Sequence, residues 1–304
     1  MHPFRFGVNR TGAASLKEWQ EYARTAEDLG YTNLIMQDHV DQQFAPFPAL
    51  VAAAGVTSRI HLTTIVLDND FRHPAVVAKE AATVDLLTEG RLELGLGAGW
   101  LQADYDKLGL SFDAAGERMS RFMDAVSVVK AFFQDEPTFS VDSLHYRIRN
   151  LEAWPRPVQK PHPPLLIGGR QKRMLSFAAR EADVVSVSML DPRTPGGPQP
   201  PSFAEKIEWV RRAAGDRFDA IEVHANSPGL RVTDDQRGAI EAAAERLKVA
   251  PEHVLDSPAN LIGSVDAVVE QMQRWRESCS LNYFVVPYAR MLELAPVIAR
   301  LSRS

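Results

Sequence analysis

Two kinds of apolar pattern alternate along the chain. Short runs of β-branched and apolar residues are typical of buried strands, and longer segments with apolar residues at helical spacing follow them. The short runs predict strands at 4–9, 32–36, 60–67, 91–96, 164–168, 183–187, 220–225 and 281–287. The longer segments predict helices at 16–29, 47–54, 74–87, 116–133, 171–182, 203–214, 265–278 and 291–301. Pro74 suits the first turn of its helix, so His73 is expected to mark the helix boundary.

The repeated strand–helix units predict parallel strands, since each strand is reached through a helical crossover. Eight such units in 304 residues favour a (β/α)8 TIM barrel over an open, doubly wound sheet. Hydrophobic residues make up 45% of the 304 residues, which is enough for one large domain or two small ones. With the barrel pattern, we expect a single domain over 1–304. Three segments interrupt the alternation, at 134–163, 190–202 and 232–251. Segments of this length are expected to be functional lids or insertions.

Polar and glycine residues gather where five consecutive predicted strands end. They are Gln37, Asp38 and His39; Asp68, Asn69 and Asp70; Gly97, Ala98, Gly99 and Trp100; Gly168, Gly169 and Arg170; and Ser186, Val187, Ser188 and Met189. Chemistry in a (β/α)8 barrel collects at the carboxyl ends of the strands. Any one of these groups fits an ordinary turn, but together they predict a rim that binds a ligand.

Two of these groups have simpler interpretations. The pair Asp38–His39, taken alone, fits a helix N-cap followed by a surface histidine. The glycines of GLGAGW resemble part of a dinucleotide fingerprint, but its third glycine would fall on Trp100. No clear helix is expected to open at Trp100 either, so the motif is weak evidence for a dinucleotide fold.

The glycine pair Gly168–Gly169 precedes a predicted helix, where exposed backbone amides form an anion site. Arg170, Lys172 and Arg173 add positive charge there, although a solvated helix start is the simpler alternative. His224 closes the seventh predicted strand and is a weaker candidate for facing the pocket. The remaining histidines have no metal-ligand spacing, so no metal site is expected.

The composition is typical of a soluble, cytoplasmic protein without nucleic-acid or membrane partners. A formal net charge of -5 gives no basic excess for nucleic acid or an anionic membrane. The single cysteine, Cys279, excludes an internal disulfide and fits a reducing compartment. No apolar run reaches the length of a membrane span, and no signal peptide is visible at the start.

Three segments carry a resemblance to a known family. They are TNLIMQDHV (32–40), TTIVLDNDFRHPAVVAKEAATVDLLTEGRLELGLGAGW (63–100) and PLLIGGRQKRML (164–175). In this order and spacing the chain resembles the bacterial luciferase-like monooxygenase superfamily, and within it the F420-dependent oxidoreductase branch. The resemblance implies a TIM barrel with insertions, a homodimer, and a flavin or deazaflavin at the carboxyl ends of the strands.

The resemblance also implies roles for individual residues. Asp38 and His39 match positions that contact the deazaflavin and place an acid/base. Ile65 and Val66 match a non-prolyl cis peptide bond behind the ring, and Ala98 and Gly99 match a turn that approaches it. Gly168 and Gly169 match backbone donors to the phosphate-bearing tail. Beside these matches, Arg170 is expected to bind the cofactor, and Trp100 and Met189 are the expected substrate-pocket residues.

The predicted function is an F420-dependent oxidoreductase that transfers a hydride between the deazaflavin and a small organic substrate. His39 can act as acid or base near neutrality, and Asp38 can contact the cofactor or orient the histidine. Trp100 stands where the family's sugar-phosphate dehydrogenases have an acidic residue, so a sugar phosphate is not expected. The alternatives are an FMN-dependent monooxygenase and a non-catalytic barrel that binds a flavin or another ligand. The basic cluster at 170–173 favours F420, which ends in an anionic tail.

Overall fold

A computed structural model describes residues 1–189 and 200–302 of the chain. Its strands follow, in chain order, the apolar runs of the sequence. They are β1 (Arg5–Asn9), β2 (Asn33–Met36), β3 (His61–Thr64), β4 (Leu67–Asp68), β5 (Leu92–Gly97), β6 (Thr138–Asp142), β7 (Arg147–Glu152), β8 (Leu165–Gly169), β9 (Val184–Val187), β10 (Glu222–Asn226), β11 (Arg231–Val232), β12 (Ile262–Gly263) and β13 (Leu281–Pro287).

The helices of the described residues lie between these strands. They are α1 (Leu16–Asp28), α2 (Pro46–Ala54), α3 (Pro74–Leu87), α4 (Gln102–Leu108), α5 (Ala115–Phe133), α6 (Lys172–Glu181), α7 (Phe203–Ala214), α8 (Gln236–Leu247), α9 (Val265–Cys279) and α10 (Met291–Leu301). Short 3-10 helices cover Asn69–Phe71, Gly215–Ala220, Pro251–Asp256 and Tyr288–Arg290. No helix in the described part of the chain is both long and apolar enough to cross a membrane.

The fold is a (β/α)8 barrel, as the sequence pattern predicts. The order of the main sheet is β3-β2-β1-β13-β10-β9-β8-β5-β4, and an additional pairing of β3 with β5 closes it. Parallel strands linked through helices are the defining feature of this fold. The sheet has nine strands rather than eight because the predicted strand 60–67 is divided into β3 and β4.

The chain divides into two compact units. Unit 1 comprises Met1–Arg10, Thr25–Leu34 and the described residues of Gly168–Ser304. Within it, β13 pairs in parallel with both β1 and β10, and β10 pairs with β9. The first six residues of β13 are buried, so this strand reads as a nearly continuous apolar run.

Unit 2 comprises Thr11–Arg24 and Ile35–Ile167. Its central strand, β5, pairs in parallel with β3, β4 and β8. The helix α3 begins at Pro74, so His73 marks the helix boundary as expected. The backbone amide of Ala75 donates to His73 Nδ1 over 3.2 Å, so His73 also caps the helix. The prediction of a single domain over 1–304 stays a prediction.

The predicted insertions have different structures. The segment 134–163 contains an antiparallel pair, β6 and β7, and 232–251 contains α8. Most of the insertion 190–202 lies outside the described residues. The expectation that no helix opens at Trp100 is wrong, because α4 begins two residues later. It ends at Leu108, and Gly109 follows with a φ of +69°.

Candidate functional site

The central feature of the candidate site in unit 2 is a pair between His39 and Asp104. His39 follows β2, and Asp104 lies on the first turn of α4. His39 Nδ1 is 2.7 Å from Asp104 Oδ2, and the Asp104 residue is only 5% exposed. Because a carboxylate accepts hydrogen bonds, Nδ1 carries the hydrogen and donates it to Asp104. Nε2 makes no hydrogen bond to any described residue.

The hydrogen bond to Asp104 determines at which nitrogen the His39 imidazole can accept or donate a proton. A neutral His39 that donates from Nδ1 has a bare Nε2, which accepts a proton. A protonated His39 has an Nε2–H that can be donated, and the Asp104 carboxylate stabilises the positive charge. His39 is therefore oriented for proton transfer at Nε2 in either direction.

An aromatic side chain lies beside this imidazole. The rings of Trp100 and His39 meet edge to face, with their centroids 5.9 Å apart. Trp100 is 52% exposed although its side chain is large and mostly apolar. The Trp100 ring therefore presents an apolar surface next to the imidazole of His39.

Asp38 is held by three hydrogen bonds. Arg72 donates to both carboxylate oxygens, over 2.7 Å and 3.0 Å, and the backbone amide of Asp68 donates over 3.0 Å. A forked arginine–carboxylate pair is among the strongest in proteins. Asp38 thus links the end of β2 to the end of β4. Because both carboxylate oxygens already accept hydrogen bonds, Asp38 fits a positioning role better than proton transfer.

A second carboxylate cluster lies at the end of β4. Arg121 donates to Asp70 Oδ1 over 2.7 Å and to Oδ2 over 2.9 Å. The hydroxyl oxygen of the buried Tyr105 lies 2.9 Å from Asp68 Oδ1 and 2.9 Å from Asp70 Oδ2. The backbone amide of Asp70 donates to Asp68 Oδ1 over 2.9 Å.

Burial and charge act differently on the members of this cluster. Burial raises the pKa of Asp68 to about 6, although its hydrogen bonds with the Asp70 N–H and with the Tyr105 side chain lower it in part. Burial also acts to raise the pKa of Asp70, but the Arg121 and Tyr105 hydrogen bonds outweigh it and hold that pKa below its ordinary value. Burial and the neighbouring carboxylates raise the pKa of Tyr105.

The expected cis peptide bond is present between Ile65 and Val66. This bond lies between β3 and β4. The neighbouring strand β5 contains the small residues Gly95 and Gly97. A Cβ on Gly97 would lie 2.5 Å from Val66 Cγ2, so only glycine permits this approach. The turn Ala98–Gly99 follows, and a Cβ on Gly99 would meet the Tyr105 hydroxyl. The matched residues of this segment thus lie together in unit 2.

Gly168, Gly169 and Arg170 lie in unit 1, at the end of β8 and before α6. The N-terminus of α6 has no side-chain capping bond from Gln171 and no acidic residue in its first turn. Lys172 and Arg173 occupy that turn, so the helix start carries positive charge and uncapped amides. This arrangement fits the anionic tail of a phosphate-bearing cofactor. Met189, also in unit 1, is half-buried after β9.

His224 does not close its strand as expected, and it lies in the core of unit 1. It lies in the middle of β10 and is fully buried, with Nδ1 2.8 Å from Ser186 Oγ. Burial lowers the pKa of His224 to about 3, and the charge of Arg5 adds to this effect. Among the described residues no group of histidine, cysteine and acidic side chains could hold a metal ion.

Four residues of the site in unit 2 are absent from the sequence-based candidates: Arg72, Asp104, Tyr105 and Arg121. Asp104 and Tyr105 lie on α4, a helix of seven residues that is too short to give a clear apolar period. Its one sequence signal is Gly109, a glycine directly after the last helical residue. Arg72 lies between a predicted strand and a predicted helix, in the segment 63–100 that carries the family resemblance, and Arg121 lies within a predicted helix. The sequence assigns neither arginine a role.

The chain is similar to proteins of known activity. It is 28% identical over 231 residues to an F420-dependent glucose-6-phosphate dehydrogenase of Microbacterium testaceum (strain StLB037), covering 73% of this chain and 68% of that one. It is 28% identical over 265 residues to an FMNH2-dependent dimethylsulfone monooxygenase of Pseudomonas putida, covering 85% and 70%. A solved F420-dependent tetrahydromethanopterin reductase from Methanopyrus kandleri has the same fold, with a TM-score of 0.77, 19% identity and coverage of 98% and 97%.

The model of the luciferase-like monooxygenase family matches residues 1–228. The chain therefore belongs to the luciferase-like monooxygenase family, as the motifs of the sequence predict. The named relatives are oxidoreductases and monooxygenases, and they use either F420 or a flavin. A flavin-type cofactor is thus the common property of these relatives.

Proposed function

We propose that this protein is an F420-dependent oxidoreductase that acts on a small organic substrate. The observation that carries the proposal is the His39–Asp104 pair, which leaves Nε2 unbonded among the described residues and beside the exposed ring of Trp100. A bound F420 would supply two-electron hydride transfer. The chain itself must then hold and move the matching proton, and His39 Nε2 is the group oriented for that task.

The direction of the proton depends on the direction of the reaction. When an alcohol is oxidised, a neutral His39 accepts the hydroxyl proton at Nε2. When a carbonyl or C=C bond is reduced, a protonated His39 donates from the same atom. Asp104 acts through His39 by holding Nδ1–H, so it is a positioning residue. We also propose a positioning role for Asp38, because an acid/base role would disrupt its pair with Arg72.

The chemistry of the site favours an uncharged substrate over a sugar phosphate. Arg72 is paired with Asp38, and Arg121 is paired with Asp70 and Asp113. Neither guanidinium is therefore available as a phosphate ligand without breaking an ion pair. Trp100 supplies apolar surface instead. Met189 stays a predicted pocket residue.

The start of α6 supports F420 over FMN. F420 has an anionic glutamate tail beyond its phosphate, and Lys172 and Arg173 lie in the first turn of a helix without a capping side chain. Gly168, Gly169 and Arg170 stay the predicted backbone and side-chain contacts of the tail. Asp38, Ile65, Val66, Ala98 and Gly99 stay the predicted contacts of the ring.

An FMN-dependent monooxygenase is the second candidate. It is favoured by the match to the dimethylsulfone monooxygenase, which covers 85% of this chain. Such an enzyme would consume oxygen and depend on a supply of reduced flavin. The homodimer implied by the family resemblance stays a prediction.

Cofactor binding to the purified protein tests the proposal. Isothermal titration calorimetry is expected to show that F420 binds at least about tenfold more tightly than FMN. This ratio is a difference of about 1.4 kcal/mol in binding free energy. The variant K172A/R173A is expected to weaken F420 about threefold to tenfold, because two charges near the helix start are lost. Its effect on FMN should be smaller, since FMN lacks the anionic tail.

The matched control is R180A, which removes an exposed charge from the last turn of the same helix. This variant should bind both cofactors as the native protein does. Tighter binding of FMN together with oxygen consumption would replace the proposal with the monooxygenase. Binding without turnover of any alcohol, ketone or enone would favour a non-catalytic barrel.

A further inference from the structure

Three carboxylates meet at the ends of β2 and β4, but only two arginines accompany them. Arg72 pairs with Asp38, and Arg121 pairs with Asp70. Asp68 lies between them in the hydrogen-bond network and forms no ion pair with any described lysine or arginine. The charges of the two other carboxylates, Asp38 and Asp70, both act on it. If all three were ionised, the cluster would hold one uncompensated negative charge.

The contacts of Tyr105 indicate independently how many hydrogens the Tyr105, Asp68 and Asp70 side chains share. A tyrosine hydroxyl has one hydrogen to donate, and a carboxylate has none. The Tyr105 oxygen nevertheless lies 2.9 Å from one oxygen of Asp68 and 2.9 Å from one oxygen of Asp70. Asp70 is ionised by its pair with Arg121, so it takes the tyrosine hydrogen. The contact to Asp68 then needs a second hydrogen, and only Asp68 itself can supply it.

The surroundings of Asp68 support the same assignment. Asp70 faces it from the same segment, Asp38 from the end of β2 and Tyr105 from α4, while Arg72 and Arg121 are directed at the other carboxylates. Burial raises the pKa of Asp68 to about 6, and the charges of Asp70 and Asp38 act in the same direction. Tyr105 keeps its own hydrogen, because burial and the same carboxylates raise its pKa.

We propose that Asp68 retains its proton in the folded protein at a pH where an ordinary aspartic acid has lost it, and that it is a second proton-holding group of the site. Its proton lies on Oδ1 and is donated to the Tyr105 oxygen. The other oxygen, Oδ2, lies close to the turn before Trp100, since a Cβ on Gly99 would be 2.8 Å from it. Ionisation releases the proton to solvent and gives the site one more negative charge.

Only the catalytic role of this proton rests on the proposed function. The protonation itself belongs to the cofactor-free protein and is measurable without turnover. Infrared difference spectra between about pH 4.5 and about pH 8 detect the C=O stretch of a carboxylic acid. We expect a band that disappears with a midpoint near 6, and we expect D68N to lack it. The amide of D68N has the shape of the neutral acid and can donate to Tyr105 in the same way.

Three further variants make the test specific. D113N removes the more exposed partner of Arg121 and should keep the band unchanged. D70N leaves two carboxylates for two arginines and frees the tyrosine hydrogen, so the band should disappear at a lower pH. Y105F keeps the Asp68 carboxyl and should shift the frequency of the band, because its hydrogen-bond partner is lost.

Each outcome separates this inference from the proposed function. A native protein without a titrating carboxylic band in this range, or a band that persists in D68N, would overturn the inference while leaving the cofactor proposal intact. A band that behaves as expected in a protein that binds neither F420 nor FMN would support the protonation of Asp68 and remove its catalytic role. With an active enzyme, D68N should remove one ionisation from the pH profile of kcat.

Discussion

At the scale of single residues, the site depends on how a buried carboxylate directs an imidazole. Asp104 is 5% exposed, so its charge must be compensated by a close donor. His39 is that donor, over 2.7 Å. The same bond holds the imidazole in one tautomer and leaves Nε2 without a hydrogen bond to any described residue. Removing the Asp104 charge should therefore disturb catalysis through His39 rather than through substrate binding.

This argument predicts a specific pattern of rates. Replacing His39 by asparagine removes the proton-transfer group, and kcat should fall about 100-fold or more. D104N keeps the size of the side chain but loses its charge, and kcat should fall about tenfold with KM little changed. Because Asp104 acts through His39, the double variant should be no slower than H39N alone. Steady-state kinetics of the three variants measures this pattern.

The matched control for Asp104 lies on the same helix. Asp106 is exposed and takes no part in the site, so D106N should retain native kinetics. Additive losses in the H39N/D104N variant would show that Asp104 acts independently of His39. Equal losses in D104N and D106N would point to a general effect on α4.

At the scale of elements, α4 brings the two halves of the unit 2 site together. Its seven residues are too few to form a stable helix alone. Tertiary contacts hold it instead: Asp104 binds His39 after β2, and Tyr105 contacts Asp68 and Asp70 at the end of β4. Gly99 allows this close packing, because its φ is +73° and its missing Cβ leaves room for the Tyr105 hydroxyl.

Two glycine variants separate backbone strain from steric overlap. Gly109, at the end of α4, has a φ of +69° and nothing within 4 Å of an added Cβ. G109A should therefore lose about 1 kcal/mol of unfolding free energy, from backbone strain alone. G99A has the same strain and also displaces Tyr105, so it should lose at least about 2–3 kcal/mol and most activity. Urea unfolding measures the stability of the two variants, and steady-state kinetics measures their activity. Equal losses of stability in G109A and G99A would contradict this role of Gly99.

The parts of the structure that the sequence predicts are those fixed by local patterns. Helix α3 and strand β13 have the predicted bounds, because a proline start and a buried apolar run mark them. The helix α4 was not predicted, since its stability comes from partners distant in sequence. The sequence pattern places His39 at the end of its strand. It does not predict the bond to Asp104, because that partner is distant in sequence. The interruption between β3 and β4 likewise has no local signal apart from the family resemblance.

At the scale of the whole molecule, two titratable groups give opposite contributions to stability. The folded chain keeps His224 neutral down to about pH 3, whereas an unfolded histidine takes up a proton below about 6.5. His224 therefore costs stability as the pH falls through that range. Asp68 holds a proton that the unfolded chain has lost above 3.8, so its contribution is lost as the pH rises toward 6. In the native protein the two effects partly cancel between about pH 4 and about pH 6.

The variant D68N isolates the contribution of Asp68, because His224 is unchanged in it. The difference between 3.8 and about 6 corresponds to at most about 3 kcal/mol. Relative to D68N, the native protein should therefore lose up to this amount of unfolding free energy between about pH 4 and about pH 7. The pKa of Asp70 is lowered, so Asp70 affects the free energy of unfolding with the opposite sign, and only at pH values below the ordinary pKa of an aspartic acid. It therefore does not contribute in the pH range of this comparison.

Urea unfolding of the native protein and of D68N over this pH range gives the difference curve, and D113N serves as the control. Parallel curves for the native protein and D68N would mean that Asp68 is ionised throughout, and the proton count at Tyr105 would then need another donor.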